Sequence, residues 1–140
     1  RDSGLGDAGG FCQVNEKTLQ HTDYPAIFSL GDACSSPNTK TAAAARKQIV
    51  VVAENLLAAK EDRELTAFYD GYGACPLTVE NGKVLLAEFG FGGKLLPTFP
   101  LDPTIPSKFY WFLKTTVFPW IYWNGMLKGK EWLARPGRSR

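Results

Sequence analysis

Residues 26–45 read AIFSLGDACSSPNTKTAAAA, and this stretch decides the predicted fold class. The apolar run at residues 26–30 predicts a buried strand that ends at the turn Gly31-Asp32. Turn and N-cap formers follow at residues 35–39. A helix is predicted over about residues 39–60, because alanines favour helix and apolar residues recur at three- and four-residue spacing (Ile49, Val52, Ala53, Leu56 and Leu57). A strand, a glycine turn and a helix in this order indicate an α/β fold.

Asp32 stands where a ligand would bind in such a fold. In open α/β sheets, ligands lie beyond the carboxyl ends of the strands. The N-terminus of the following helix offers free N–H groups and a positive dipole to an anion or a carbonyl oxygen. An aspartate at the strand end can accept hydrogen bonds from ribityl or ribose hydroxyls. The alternative is a turn aspartate before an ordinary amphipathic helix, and the pattern alone leaves both hypotheses open.

The second half of the chain predicts a β-hairpin and then helices. Residues 75–80 and 83–89 are strand-like, and the dipeptide Asn81-Gly82 between them is a strong hairpin signal. Residues 90–106 are rich in Gly and Pro and predict an irregular connection. Residues 107–133 predict two short helices, broken near Pro119 and Gly125. A further short strand is predicted at residues 10–15.

The number and spacing of the cysteines limit the kinds of site that the chain can form. Cys12, Cys34 and Cys75 are widely spaced, form no C-x-x-C pair and accompany a single histidine, which argues against a zinc site. Their odd number also disfavours a secreted disulfide framework. Cys75 follows a Gly-rich loop, and it would be reactive only with partial exposure and a neighbour that lowers its pKa. A buried, inert cysteine is the alternative.

Charge and aromatic residues divide the chain into two parts. The net charge of +2 combines nine Lys/Arg and thirteen Asp/Glu in residues 1–104 with seven Lys/Arg and one Glu in residues 105–140. All four tryptophans lie in the second part. A basic, aromatic segment indicates an acidic partner, either a membrane or a nucleic acid. Because these aromatics are mixed with Leu, Ile and Val, a membrane surface is favoured, with a core segment or a protein interface as the alternative.

A transmembrane span is not expected. The longest uncharged stretch covers thirteen residues, 115–127, whereas a spanning helix needs about 20. Short helices with an aromatic face and basic flanks lie in the interface plane instead.

Seven short stretches together resemble sulfide:quinone oxidoreductases, flavoproteins of the two-dinucleotide-binding-domain family, and most of all the type that includes the mitochondrial enzymes. They follow the family order and cover nearly the whole chain: TLQH at 18–21, FSLGD at 28–32, TKTAAA at 39–44, YDGY at 69–72, CPL at 75–77, LAEF at 86–89 and YWN at 122–124. The resemblance implies the C-terminal portion of such an α/β, Rossmann-like flavoprotein. Residues 1–64 would end its FAD-binding domain, and residues 65–140 would hold a β-hairpin, a redox cysteine and two short amphipathic membrane-binding helices.

The resemblance also implies roles for individual residues. Cys75 would be one of two redox cysteines, the other lying outside this chain, and Lys114 would act beside the flavin, in catalysis and in cofactor binding. The remaining FAD contacts would come from the strand end and the helix start, at Asp32, Lys40, Thr41, Ala42 and Ala43. No metal is implied.

The implied activity is oxidation of hydrogen sulfide, with two electrons passing through FAD to a membrane quinone and the sulfur to an acceptor. Residues 107–133 would contact the membrane surface as a monotopic anchor, at a bacterial or mitochondrial inner membrane. No nucleic acid is expected, and a homo-oligomer is allowed. The 140 residues alone are expected to be inactive. The alternatives are a type II NADH:quinone oxidoreductase, from which Cys75-Pro76 would distinguish the chain, and a non-catalytic membrane-binding module.

Overall fold

The computed structural model describes residues 3–130 and 132–138, and these form a mixed α/β fold. One long helix, α1, and a hairpin carry most of the structure, followed by a C-terminal helical segment. The main elements are α1 (Ala42–Lys60), β1 (Ala67–Phe68), β2 (Gly73–Glu80), β3 (Lys83–Phe89), α2 (Lys108–Phe112), a π-helical turn (Leu113–Val117), α3 (Phe118–Asn124) and β4 (Gly137–Arg138). Short 3₁₀ turns lie at Gly31–Ala33, Phe91–Gly93 and Met126–Lys128. The α/β class is therefore confirmed at this level.

The N-terminal strands predicted at residues 10–15 and 26–30 are wrong. These segments form isolated bridges instead, such as Val14 to His21 and Gln20 to Phe28. A strand needs a neighbour that continues the ladder over several residues, and each segment meets its partner at single positions. Residues 27–30 are half-buried and Ala26 is exposed, so this segment is not buried as the prediction required.

Helix α1 is confirmed, and it starts at Ala42 rather than at about residue 39. The helix begins at Ala42 because Thr41 is extended and its side chain accepts a hydrogen bond from the Ala44 N–H at 3.2 Å. The face turned inward carries Ala44, Gln48, Val51, Asn55 and Ala58, whereas Ile49, Leu56 and Leu57 are exposed. Polar residues select this face, because their side chains bond the backbone of neighbouring loops. Asn55 alone donates to the carbonyls of Thr18 and Ala67 at 3.0 and 2.8 Å.

The predicted hairpin is confirmed. Strands β2 and β3 pair antiparallel, with Cys75 opposite Ala87, and β2 begins two residues before its predicted start. Asn81-Gly82 connects them, and Gly82 takes a φ of +80° that favours glycine. On β3, alternate residues Val84, Leu86 and Glu88 are buried.

The C-terminal helix packs one face on this hairpin. Tyr110 and Leu113 are buried in a cluster with Val84 and Leu86, and Val117 packs against it. The break predicted near Pro119 is wrong, because the backbone stays helical from Lys108 to Asn124. A proline ring clashes with the carbonyl four residues earlier in a regular α-helix. The π turn over Leu113–Val117 widens the helix just before it, and the Phe118 N–H donates to the Leu113 carbonyl.

The break predicted near Gly125 is confirmed. Helix α3 ends at Asn124, and a Cβ on Gly125 would lie 2.7 Å from the Ile121 carbonyl oxygen and 3.1 Å from the Trp132 ring. Residues 132–138 then return to the body of the protein. There β4 pairs with β1, and Arg138 forms an ion pair with Glu54 at 3.0 Å.

Candidate functional site

Asp32 lies on the 3₁₀ turn that follows residues 26–30, next to the start of α1. Gly31 takes a φ of +65°, and its N–H donates to Gln48 Oε1 at 2.7 Å. Gln48 also donates through Nε2 to Asn38 Oδ1 at 3.2 Å, which links both ends of the connecting loop to α1. Asp32 is exposed on this held turn. Its carboxylate is therefore free to accept hydrogen bonds from outside the turn.

The start of α1 presents backbone donors beside Asp32's turn. Thr41 caps the helix, Ala42 is exposed and Ala43 is half-buried. The first N–H groups of a helix have no intrahelical acceptor, so this end attracts an anion or a carbonyl oxygen. The Lys40 side chain contacts the loop that precedes the helix. Its ammonium donates to the carbonyls of Cys34 and Ser36 at 2.6 and 2.8 Å, so it holds the loop before the helix.

Strand β2 begins against this helix end and carries Cys75. A Cβ on Gly73 would lie 3.2 Å from the Thr39 carbonyl oxygen and 3.5 Å from Thr41 Oγ1, so the absence of a side chain permits the approach. Cys75 follows two residues later as a free, half-buried thiol. Predicted site residues from α1 and from the hairpin thus lie near one another.

Lys114 reaches the same strand from the C-terminal helix. Its Nζ donates to the Pro76 carbonyl at 2.8 Å and to Thr78 Oγ1 at 2.7 Å. The carbonyl belongs to the residue directly after Cys75. The structure therefore brings Lys114 and the start of α1 to two neighbouring parts of β2, with Cys75 between them.

Sequence reasoning missed the buried carboxylate of Glu88, a residue of β3 that pairs with Ala74 of β2. Glu88 is 2% exposed and accepts hydrogen bonds from Tyr72 Oη at 2.5 Å, from the Thr98 N–H at 2.9 Å and from Thr98 Oγ1. Burial, followed by the hydrogen bond to Glu88, raises the pKa of Tyr72 from 10.0 to about 12. The two-residue periodicity of β3 could have revealed Glu88, since it continues the buried series of Val84 and Leu86.

Tyr72 also contacts Lys47 of α1. Lys47 Nζ lies 4.7 Å from the centre of the Tyr72 ring and forms an ion pair with Asp70 at 2.6 Å. These contacts join α1 to the loop that leads into Cys75. The loop is thereby held from both sides, by Lys47 and by Glu88.

The C-terminal helical segment has a second apolar face that is exposed to solvent over much of its area, although Trp120 stacks on Trp132. The face turned to the hairpin carries Tyr110, Leu113 and Val117. The outward stripe repeats at three- and four-residue spacing, and its large members are 41–63% exposed: Phe109, Phe112, Trp120, Trp123 and Leu127. We call this set the aromatic stripe. Within residues 3–130 and 132–138, no helix is both long and apolar enough to cross a membrane.

A groove lies away from these residues. It has a volume of about 670 Å³, and its apolar lining includes Pro25, Ala26 and Phe28 and, from the C-terminal end of α1, Leu56 and Ala59. None of the predicted site residues lines it. Among the described residues, no group of three or more His, Cys, Asp or Glu side chains could hold a metal ion.

Comparisons with known proteins give one consistent result, although no family model matches the chain. The mitochondrial sulfide:quinone oxidoreductase of Dictyostelium discoideum is 43% identical over 136 residues. Those of Schizosaccharomyces pombe and Mus musculus are 36% and 35% identical. The matches cover 91–96% of this chain but only 28–30% of those proteins.

A solved structure is also similar. It is a chain of the cryo-EM structure of the Tetrahymena thermophila mitochondrial ATP synthase, an F1Fo composite tetramer model. That chain is 29% identical, with a TM-score of 0.67, and the match covers 92% of this chain and 28% of that one.

Proposed function

We propose that this chain, which is homologous over nearly its whole length to a part of the mitochondrial sulfide:quinone oxidoreductases, forms the C-terminal portion of such an enzyme. The whole enzyme would oxidise hydrogen sulfide and pass two electrons to a membrane quinone. In this proposal residues 1–64 complete a Rossmann-like FAD domain. Residues 65–140 supply a redox cysteine, the region of the quinone site and the membrane contact. The observation that carries the proposal is that the start of α1 approaches Gly73 and Lys114 bonds the Pro76 carbonyl, so that both reach β2 next to the free thiol of Cys75 in the chain.

The residues around α1 fit a flavin. The exposed carboxylate of Asp32 can accept hydrogen bonds from ribityl hydroxyls, and the free N–H groups of Ala42 and Ala43 can donate to a ring carbonyl oxygen. Ser36 Oγ is buried and has no partner among the described residues, which leaves a hydrogen-bonding group for a ligand in this loop. FAD supplies, when bound, the two-electron acceptor that the side chains lack.

Cys75 would take part as one half of a disulfide with a cysteine outside this chain. Hydrosulfide attacks one sulfur of that bond, the S–S bond breaks, one cysteine becomes a persulfide and the other leaves as a thiolate. The persulfide sulfur passes to a nucleophilic acceptor. Lys114 holds the strand beside Cys75 through the Pro76 carbonyl.

Substitution of Cys75 in the whole enzyme tests this assignment. Cys75→Ser is expected to abolish sulfide-dependent quinone reduction, because a hydroxyl cannot form the disulfide. Cys12→Ser is the matched control, since Cys12 is also free and half-buried. Wild-type sulfide-dependent turnover in Cys75→Ser would refute the assignment. Quinone reduction that depends on NADH and not on sulfide would favour a type II NADH:quinone oxidoreductase, which needs no thiol at this position.

The aromatic stripe would bind the surface of an inner membrane, bacterial or mitochondrial, from which the quinone arrives. Its tryptophans are among the most exposed large side chains, with Trp120 at 55% and Trp123 at 63%. Indole rings favour the membrane–water interface. Trp120→Ser/Trp123→Ser is expected to release the protein from lipid vesicles. Unchanged co-sedimentation would refute the membrane contact, and a colourless whole protein without flavin would leave only a non-catalytic membrane-binding module.

A further inference from the structure

The segment PLDPTIP, residues 100–106, forms a rigid turn between the hairpin and α2. Three prolines restrict its backbone. Asp102 Oδ1 accepts hydrogen bonds from the Thr104 N–H at 2.8 Å and from Thr104 Oγ1 at 2.6 Å. Ser107 fixes the end of the turn to β3, because Ser107 and Val84 exchange backbone hydrogen bonds at 2.9 and 3.2 Å. The turn is therefore presented in one conformation.

This rigid turn exposes large apolar side chains to solvent. Leu101 is 44% exposed and Ile105 is 60% exposed. Burying a leucine or isoleucine side chain normally stabilises a protein, because it removes apolar surface from water. Two such residues held outward on a restrained turn indicate a contact with something apolar.

The turn lies at the start of the aromatic stripe. Phe99, which precedes it, packs edge-on against Phe109 with ring centres 5.2 Å apart. Phe109 is itself 41% exposed and is the first residue of the stripe. The segment that leads into the turn therefore contacts the first residue of the stripe.

We infer that the turn is a second element of the bilayer-contacting surface, with Leu101 and Ile105 entering the headgroup region of a lipid membrane beside Phe109. This inference rests on the proposed membrane function of the aromatic stripe. The charges that flank the turn in the chain fit a bilayer, because Lys94 before it and Lys108 after it are both exposed and can meet lipid phosphates.

Asp102 is the one acidic residue of the turn. One of its carboxylate oxygens is already engaged by the backbone and hydroxyl groups of Thr104. The turn therefore brings its own hydrogen-bond partners when it leaves water. An occupant that is a protein rather than a bilayer would leave vesicle binding insensitive to changes at the turn.

Vesicle co-sedimentation of the intact protein tests the inference, with phosphatidylcholine vesicles that contain or lack an anionic phospholipid. Leu101→Ser/Ile105→Ser is expected to weaken binding about tenfold on both kinds of vesicle, because the lost contribution is apolar. Leu57→Ser is the matched control. Leu57 is 56% exposed but lies on α1, and its replacement is expected to leave binding unchanged.

A second variant keeps the test independent of any loss of folding. Ile105→Trp is expected to strengthen vesicle binding several-fold, since tryptophan favours the interface. The inference is overturned if Trp120→Ser/Trp123→Ser loses binding while both changes at the turn leave the affinity at its wild-type value. If Trp120→Ser/Trp123→Ser binds like the wild type, the proposed membrane function fails, and the inference fails with it.

Discussion

Lys114→Met should uncouple the C-terminal helix from the strand that carries Cys75. The substitution removes two hydrogen bonds from an ammonium group, to the Pro76 carbonyl and to Thr78 Oγ1. Hydrogen bonds of charged groups contribute about 1.5–3 kcal/mol each. Lys114 is only half-buried, and the freed carbonyl can bond water. Because solvent screens the ammonium group, we expect less than two full hydrogen bonds, a loss of about 2 kcal/mol in the free energy of unfolding.

Urea unfolding measures this loss. With a slope of about 2 kcal/mol per molar urea, the midpoint should fall by about 1 M. Thr78→Val is the matched partner variant, because it removes one of the two acceptors and should cost about 1 kcal/mol. The double variant should then lose less than the two single losses combined, since both disrupt the same hydrogen bond.

Additive losses in this cycle would show that Lys114 and Thr78 do not share an interaction, and the geometric argument would fail. Lys114→Arg provides a further control, because it keeps the positive charge but changes the shape of the donor. In the whole enzyme, recovery of stability without recovery of turnover in this variant would support a role for the ammonium itself beside Cys75.

Two further predictions concern buried polar groups. Tyr72→Phe should make the free energy of unfolding fall less steeply between pH 10 and pH 12. The pKa of Tyr72 is raised from 10.0 to about 12 in the folded protein. The stability linked to this shift is therefore complete below pH 10 and is lost towards pH 12. Urea midpoints measured across that range check it, and an unchanged slope would contradict it. Asn55→Leu should cost about 3 kcal/mol, because it leaves backbone groups of Thr18 and Ala67 unsatisfied at a residue that is 1% exposed. A loss below about 1 kcal/mol in chemical unfolding would refute that accounting.

The candidate site was predictable where the signal was local. Asp32 and the start of α1 follow one another along the chain, and their hydrogen-bonding capacity comes from a turn and a helix end. Glu88, Gln48 and Lys47 were not found, because each acts through a contact with a distant segment. Gln48, for example, lies 17 residues from the Gly31 N–H that it binds.

The sequence by itself determined the hairpin and the long helix. Asn81-Gly82 sets a tight turn between alternating residues, and consecutive alanines favour helix in any context. Tertiary structure decided which face of α1 is buried, because Asn55 and Gln48 find backbone partners that the exposed Leu56 cannot bond. It also brought Lys114 to Pro76 across 38 residues. Propensity and periodicity act over a few residues, whereas these contacts depend on where separate segments meet in space.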